Sequence, residues 1–160
     1  MARATLTRIR LARIAGALLF VAGAAGLMGI ITAESLYPSG YTTGGSMISD
    51  LGGTESPNSV IAQPSAAIFN TTMVATGILV MVGAGCVYAA LRRKSLAIPL
   101  ALLGLGGLGV GVFSGHTGLP HQVFAQLTFI SGGVAAILSY RSLTAPLRYI
   151  AIALGPDFRS

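Results

Sequence analysis

The chain has 160 residues, of which 53% are hydrophobic and only 9% charged. Soluble domains carry about a quarter charged residues, so a mean hydropathy of +0.78 excludes that class and places the chain among membrane proteins. The net charge of +6 does not indicate nucleic acid, because the ten basic residues form short clusters between apolar runs instead of one binding face.

A helix needs about 20 residues at 1.5 Å each to cross an apolar core about 30 Å thick. Arg3, Arg8, Arg10 and Arg13 precede the first run that qualifies, 14–33. A cleaved signal peptide is the competing assignment for this start. The run exceeds the roughly 7–15-residue signal core, and Ile31-Thr32-Ala33 is a poor small-x-small cleavage site, so an uncleaved span is predicted. The second run, 66–91, begins after Pro64 and Ser65 and ends before Arg92, Arg93 and Lys94. It contains Cys86, the one cysteine, so no internal disulfide can form. The third run is 96–113, with Ser95 suited to cap it and Pro99 in about its first turn, where a missing N–H costs little. The fourth is 123–140, with Pro120 in its opening turn. Thr144 and Pro146 would start a fifth helix, but 147–154 offers only about 12 Å before Gly155-Pro156 and cannot cross. The predicted fold is all-α: a single polytopic membrane domain with four transmembrane helices in a bundle and a short, non-spanning C-terminal helix.

Glycine is frequent inside these runs: Gly23, Gly26 and Gly29 in the first, and Gly104, Gly106, Gly107, Gly109 and Gly111 in the third. Gly107 and Gly111 form a GxxxG pair, which permits close helix approach within the bundle or, alternatively, in a homo-oligomer. "GLGGLGVG" is no phosphate loop, since it lacks the Lys-Ser/Thr partner and lies at bilayer depth.

Placing the N-terminus in the cytoplasm puts every Lys and Arg inside and leaves 34–65 and 114–122 outside with none. A multipass protein of the plasma membrane in that orientation is predicted. Three of the four acids, Glu34, Asp50 and Glu55, and both histidines then lie on the outer side. The connection 34–65 exceeds the length of an ordinary loop, and such loops are usually functional.

Candidate polar residues at this end are Glu34, Tyr37, Ser49, Asp50, Asn70, His116 and His121. Glu34 is either an interfacial carboxylate or a partner that fixes the tautomer of a nearby histidine. Ser49 or Asp50 suits the cap of a short turn that Gly52-Gly53 ends. Met47, Ile48 and Leu51 give that turn an apolar side, with Tyr37 and Tyr41 adding aromatic surface. Asn70, about one turn into the second helix, is read as interhelical glue worth on the order of 1 kcal/mol. The Asn70-Thr71-Thr72 sequon lies inside a helix and is disregarded. His116 and His121, five apart across Gly-Leu-Pro, lack the third ligand and the spacing of a metal motif, so neither metal nor other cofactor is predicted. CxxC, HExxH and GxSxG are all missing from the sequence.

"AESLYPSGYTTGGSMISDLGG", "PSAAIFNTTMVATGIL", "GVGVFSG" and "HQVFAQLTFISGGVAAILSYR", in that order, resemble the prokaryotic multipass membrane family known as domain of unknown function 998. The resemblance runs from about residue 14 to 154. It matches Glu34, Tyr37, Pro38, Ser49, Asp50, Leu51, Gly52, Phe69, Asn70 and His121 to motif positions. It implies a polytopic helical protein with no assigned activity. It also implies six spans in fuller members, where this chain ends after a partial fifth helix.

Two functions fit. The favoured one is a non-catalytic binding or scaffold component with a polar pocket at the extracytoplasmic end of the bundle. The alternative is a membrane-embedded, hydrolase-like enzyme acting on a lipid through Glu34, Asp50, Asn70 and His121, since ionisable groups at membrane depth are functional candidates. Transport ranks lower, because no ionisable residue sits at the centre of a span. The expected partner is the lipid bilayer, with a homo-oligomer through the Gly-rich helices as the alternative use of those glycines and no nucleic acid. The orientation has a direct check. In a Cys86→Ala background, an impermeant thiol reagent added outside should label Gly45→Cys and spare Lys94→Cys; the opposite pattern overturns it.

Overall fold

The computed structural model describes residues 2–55, 57 and 59–140. The predicted C-terminal helix at 147–154 lies outside the described residues. Four long helices dominate: α1 (Ala2–Ser35), α2 (Ser65–Leu91), α3 (Lys94–Val112) and α4 (Leu119–Ser139). Each is long and apolar enough to cross a membrane, and among the described residues there is no strand. The protein is an all-helical multipass membrane protein, as its composition requires. Two 3-10 turns, Ile48–Leu51 and Gly115–Thr117, interrupt the connections between helices.

The helix boundaries differ from the predicted runs in three places, each for a local reason. α1 begins at Ala2, well before residue 14. Ala, Leu and Arg are good helix formers, and no Gly or Pro intervenes before Gly16. Thirty-four residues make a helix of about 51 Å against an apolar core of about 30 Å, so its arginine-bearing first turns extend beyond the hydrocarbon. α3 starts at Lys94 with Arg93 at the N-cap position, so Ser95 is inside the helix and does not cap it. Pro99 accordingly falls in the second turn. α4 starts at Leu119, which places Pro120 in its opening turn and His121 just behind it.

The helices alternate in direction, and each packs chiefly on its neighbours in sequence. Two apolar clusters tie the ends. Ala15, Val87, Leu96 and Ala97 meet at the end carrying the arginines, with Leu19 and Leu138 against them. Ala33, Leu51, Phe69 and Val110 meet at the other, which we call the loop end, with Ile30, Met73 and Phe124 around them. Half of the apolar window of α3 is buried within the protein, against 17% for α1 and 11% for α4. α3 is therefore a central helix, and α1 and α4 expose broad apolar faces suited to lipid.

Glycine sets the distance between helices. A Cβ on Gly77 of α2 would lie 2.5 Å from the Leu108 amide nitrogen and 2.6 Å from the Gly104 carbonyl oxygen. Gly104 and Gly111 turn to α2, and Gly106 and Gly109 turn to Thr128 and Phe124 of α4. The glycines of α3 are thus used for packing inside the chain, on both of its sides. Because the atoms facing Gly77 are backbone, no side chain can yield to a methyl group there. Gly77→Ala should cost about 1–3 kcal/mol, as overpacked cores do. Gly23→Ala, with no atom within 4 Å of the added carbon, should be neutral or stabilise by up to about 1 kcal/mol. Unfolding of the purified variants in mixed micelles measures both.

Candidate functional site

After α1, the chain does not trail into solvent. Leu51 is 0% exposed, inserted among Ala33 of α1, Phe69 of α2 and Val110 of α3. Gly52 and Gly53 are buried with it. A 3-10 turn leaves its last carbonyls without onward helical partners, and α2 supplies donors for them. The Ser65 hydroxyl donates to the Leu51 carbonyl at 3.2 Å, and the Asn70 amide donates to the Gly52 carbonyl at 3.1 Å. Asn70 therefore anchors a loop and is not glue between two helices; its Oδ1 is buried without a hydrogen-bond partner. Met47 and Ile48 point outward, at 58% and 52% exposure, so the apolar side expected of this turn is divided between inside and outside.

The predicted site residues fall into three neighbourhoods. In the first, half-buried Glu34 accepts a hydrogen bond from the Thr43 hydroxyl. Tyr37 packs on Tyr41 with ring centroids 5.6 Å apart. Burial, and then the negative charges of Glu34 and Asp50, hold the Tyr41 phenol above its ordinary pKa. Both carboxylates therefore act on one phenol. In the second, Asp50 accepts the Met47 N–H at 2.9 Å, closing its own turn, while Ser49 is half-buried and its carbonyl accepts the Gly52 N–H at 3.0 Å. Asn70 belongs to this group through Gly52.

The third neighbourhood joins α3 to α4. His121 is buried, at 5% exposure, and its Nδ1 lies 2.7 Å from the Phe113 carbonyl oxygen. A carbonyl only accepts, so that ring nitrogen carries the proton. Phe113 stacks on Phe124 at 5.4 Å, and Phe124 lies flat against Gly109. His116 is exposed, with Nδ1 2.7 Å from the buried Ser114 hydroxyl. Here the two connections meet: a Cβ on Gly115 would collide with the Gly53 carbonyl, and one on Gly53 would lie 3.5 Å from His116 Nδ1. Gly53 has φ +144°, a backbone conformation that favours glycine. At the rim, Gln122 donates to Glu55 at 3.0 Å. Among the described residues, no three His, Cys, Asp or Glu side chains come together as metal ligands.

Residues 20–155 match a family model described as Protein of unknown function (DUF998). The chain belongs to that family. Comparison with curated proteins and with solved structures gave no match. The matched range takes in the whole loop end, from Glu34 to His121, together with all of α2, α3 and α4.

Ser114 and Gly115 of this end escaped the sequence, and Gly53 and Ser65 were read only as boundary residues of their local elements. Ser65 reads as a residue at the start of the second helix, yet its hydroxyl reaches a loop carbonyl fourteen residues back. A glycine pair at 52–53 facing another glycine across the end is a signal only once the connections are known to touch. The buried leucine is the element to test. Leu51→Ala should cost about 2–5 kcal/mol and leave a void, whereas Ile48→Ala should stay within about 0.5 kcal/mol. Limited proteolysis of the 34–64 connection, fast in the first variant and slow in the second, reads the same difference.

Proposed function

We propose that this protein lies in the plasma membrane with its N-terminus in the cytoplasm and serves as a non-catalytic binding component, presenting an ordered acidic cap to the outside. The observation that carries this reading is the anchored turn, with Leu51 fully buried and the carbonyls of Leu51 and Gly52 held by Ser65 and Asn70. Ordering a connection of this length costs conformational entropy, and a passive linker has no need of it. The cap carries Glu34 and Asp50, both half-buried, and the connection has no Lys or Arg to neutralise them. A ligand or partner bearing positive charge suits such a surface.

The hydrolase-like alternative draws on one feature, the buried His121 with its Nδ1 proton fixed by the Phe113 carbonyl. That arrangement orients an imidazole, as general-base chemistry requires. Against it, Glu34 and Asp50 bond to Thr43 and to the Met47 N–H, which are local structural partners. Self-association belongs to the proposal through α1 and not α3. Gly16 and Gly23 have open space around them, while the α3 glycines face α2 and α4.

Full-length protein in neutral nanodiscs can be titrated with spermidine while its thermal unfolding is followed. The expected result is a rise in midpoint that shrinks strongly in Glu34→Gln/Asp50→Asn, whose amides can still accept the Thr43 and Met47 hydrogen bonds. A wild-type midpoint that ignores the cation, or an unchanged shift in the variant, overturns the acidic-cap reading. Lipid turnover that disappears in His121→Ala would replace it with the hydrolytic one.

A further inference from the structure

The opposite end of the molecule carries a second feature. An open groove of about 520 Å³ runs between α2 and α3, lined by Met81, Gly85, Tyr88, Lys94, Ile98 and Ala101. Its size falls within the roughly 300–1,000 Å³ typical of ligand sites. All but its end is apolar, and that end is Lys94 with Tyr88. Beside it, Arg92 adopts a left-handed backbone conformation, φ 57° and ψ 22°, at the tight link between the helices. Glycine or asparagine ordinarily fills this position, so an arginine here is held at some conformational cost. Its guanidinium carbon lies 5.8 Å from the centre of the Tyr88 ring, within reach of a cation–π contact. Two cationic side chains are thereby gathered at the mouth of an apolar trough.

Charge and position select the occupant. Glu34, Asp50 and Glu55, the acids among the described residues, all belong to the loop end. The arginine end gathers Arg3, Arg8, Arg10 and Arg13 of α1 together with Arg92, Arg93 and Lys94. Tyr88, Arg92 and Lys94 sit where apolar helix gives way to basic connection, the level of the lipid headgroups. Below them the groove opens toward hydrocarbon, which a free anion does not enter. Basic pockets between transmembrane helices are suited to phosphate headgroups.

We propose that this groove is a binding site for an anionic phospholipid, its phosphate between Lys94 and Arg92 and one acyl chain lying along Gly85 toward Met81 and Ala101. Gly85 supplies an independent handle, because a Cβ added there meets no atom within 4 Å. Gly85→Leu adds apolar bulk to the trough from a position where the Cβ is unobstructed, and it alters no charge.

Native mass spectrometry of the full-length protein, exchanged into micelles with equal phosphatidylglycerol and phosphatidylcholine, tests the site. Wild type should retain phosphatidylglycerol preferentially. A basic side chain near a membrane surface contributes about 1 kcal/mol to such binding, so Lys94→Gln should weaken the preference about five-fold, and Lys94→Gln/Arg92→Gln on the order of 25-fold. Gly85→Leu should lower retention of the lipid while leaving the unfolding midpoint in neutral micelles intact. Equal retention of the two lipids by wild type overturns the proposal without recourse to any variant. So does a preference that survives both the double substitution and Gly85→Leu. Displacement of the lipid by millimolar inorganic phosphate would show an adventitious anion contact and overturn it too.

Discussion

Inside a bilayer, the lipid tails are as apolar as the helices, so burial against water cannot hold two helices together there. What remains is close contact, in which each pair of atoms contributes little and many pairs are needed. In this protein the contact is set by glycine on both sides of one seam. Gly77 faces the backbone of Gly104 and Leu108, and Gly111 faces the backbone of Asn70 and Val74. With α2 and α3 at this distance, α1 docks on the far side of α2 by placing Gly26 and Gly29 over Thr76 and Thr72. α4 docks on the far side of α3 by laying Thr128 and Phe124 over Gly106 and Gly109. The α2–α3 seam comes first because both outer helices are referred to it.

That order of dependence extends to the loop end. Ala33, Phe69 and Val110 come from three different helices, and only at the glycine-set spacing do they leave one leucine's width between them. Leu51 fills it. Once Leu51 is in place, the carbonyls of Leu51 and Gly52 are carried away from water and must find donors, since an unpaired buried carbonyl costs about 1–3 kcal/mol. Ser65 and Asn70 stand at the opening turns of α2, where a side chain can reach a segment crossing the helix end. A hydrophobic fit between helices thus fixes the position of a polar turn. That turn in turn carries Asp50 to the same phenol that Glu34 acts on.

Much of this was legible in the sequence, because the solvent imposes it. Apolar runs long enough to cross, bounded by arginines and prolines, leave little freedom for the fold. The resemblance of the Glu34–Gly52 and Phe69–Asn70 blocks to a known family holds, as residues 20–155 belong to it. Other features were not legible, for a common reason. Gly104 and Gly106 are two residues apart and read alike, yet one is needed for α2 and the other for α4; only the packed structure assigns them. Asn70 reads as a bridge between helices, and it is a loop anchor because Gly52, eighteen residues earlier, is brought to it. The start of α1 at Ala2 reflects helix propensity continuing through the arginines, where a reading based on apolar length stops at the membrane edge.

The two ends of the molecule are chemically opposite, and that opposition ties the site proposals to the orientation. An acidic cap without Lys or Arg would meet an unfavourable field if it faced the anionic cytoplasmic leaflet. The arginine end, with Lys94 and Arg92 brought to one groove mouth, would have little to bind at a leaflet poor in anionic lipid. Turned the other way, with the arginines toward the cytoplasm, each end meets the field that its charges favour. The segregation that orients such a chain during insertion therefore does more than set topology. In the proposed orientation the acidic cap faces outward and the basic groove meets the anionic leaflet, so both proposed sites draw on one segregation of charge.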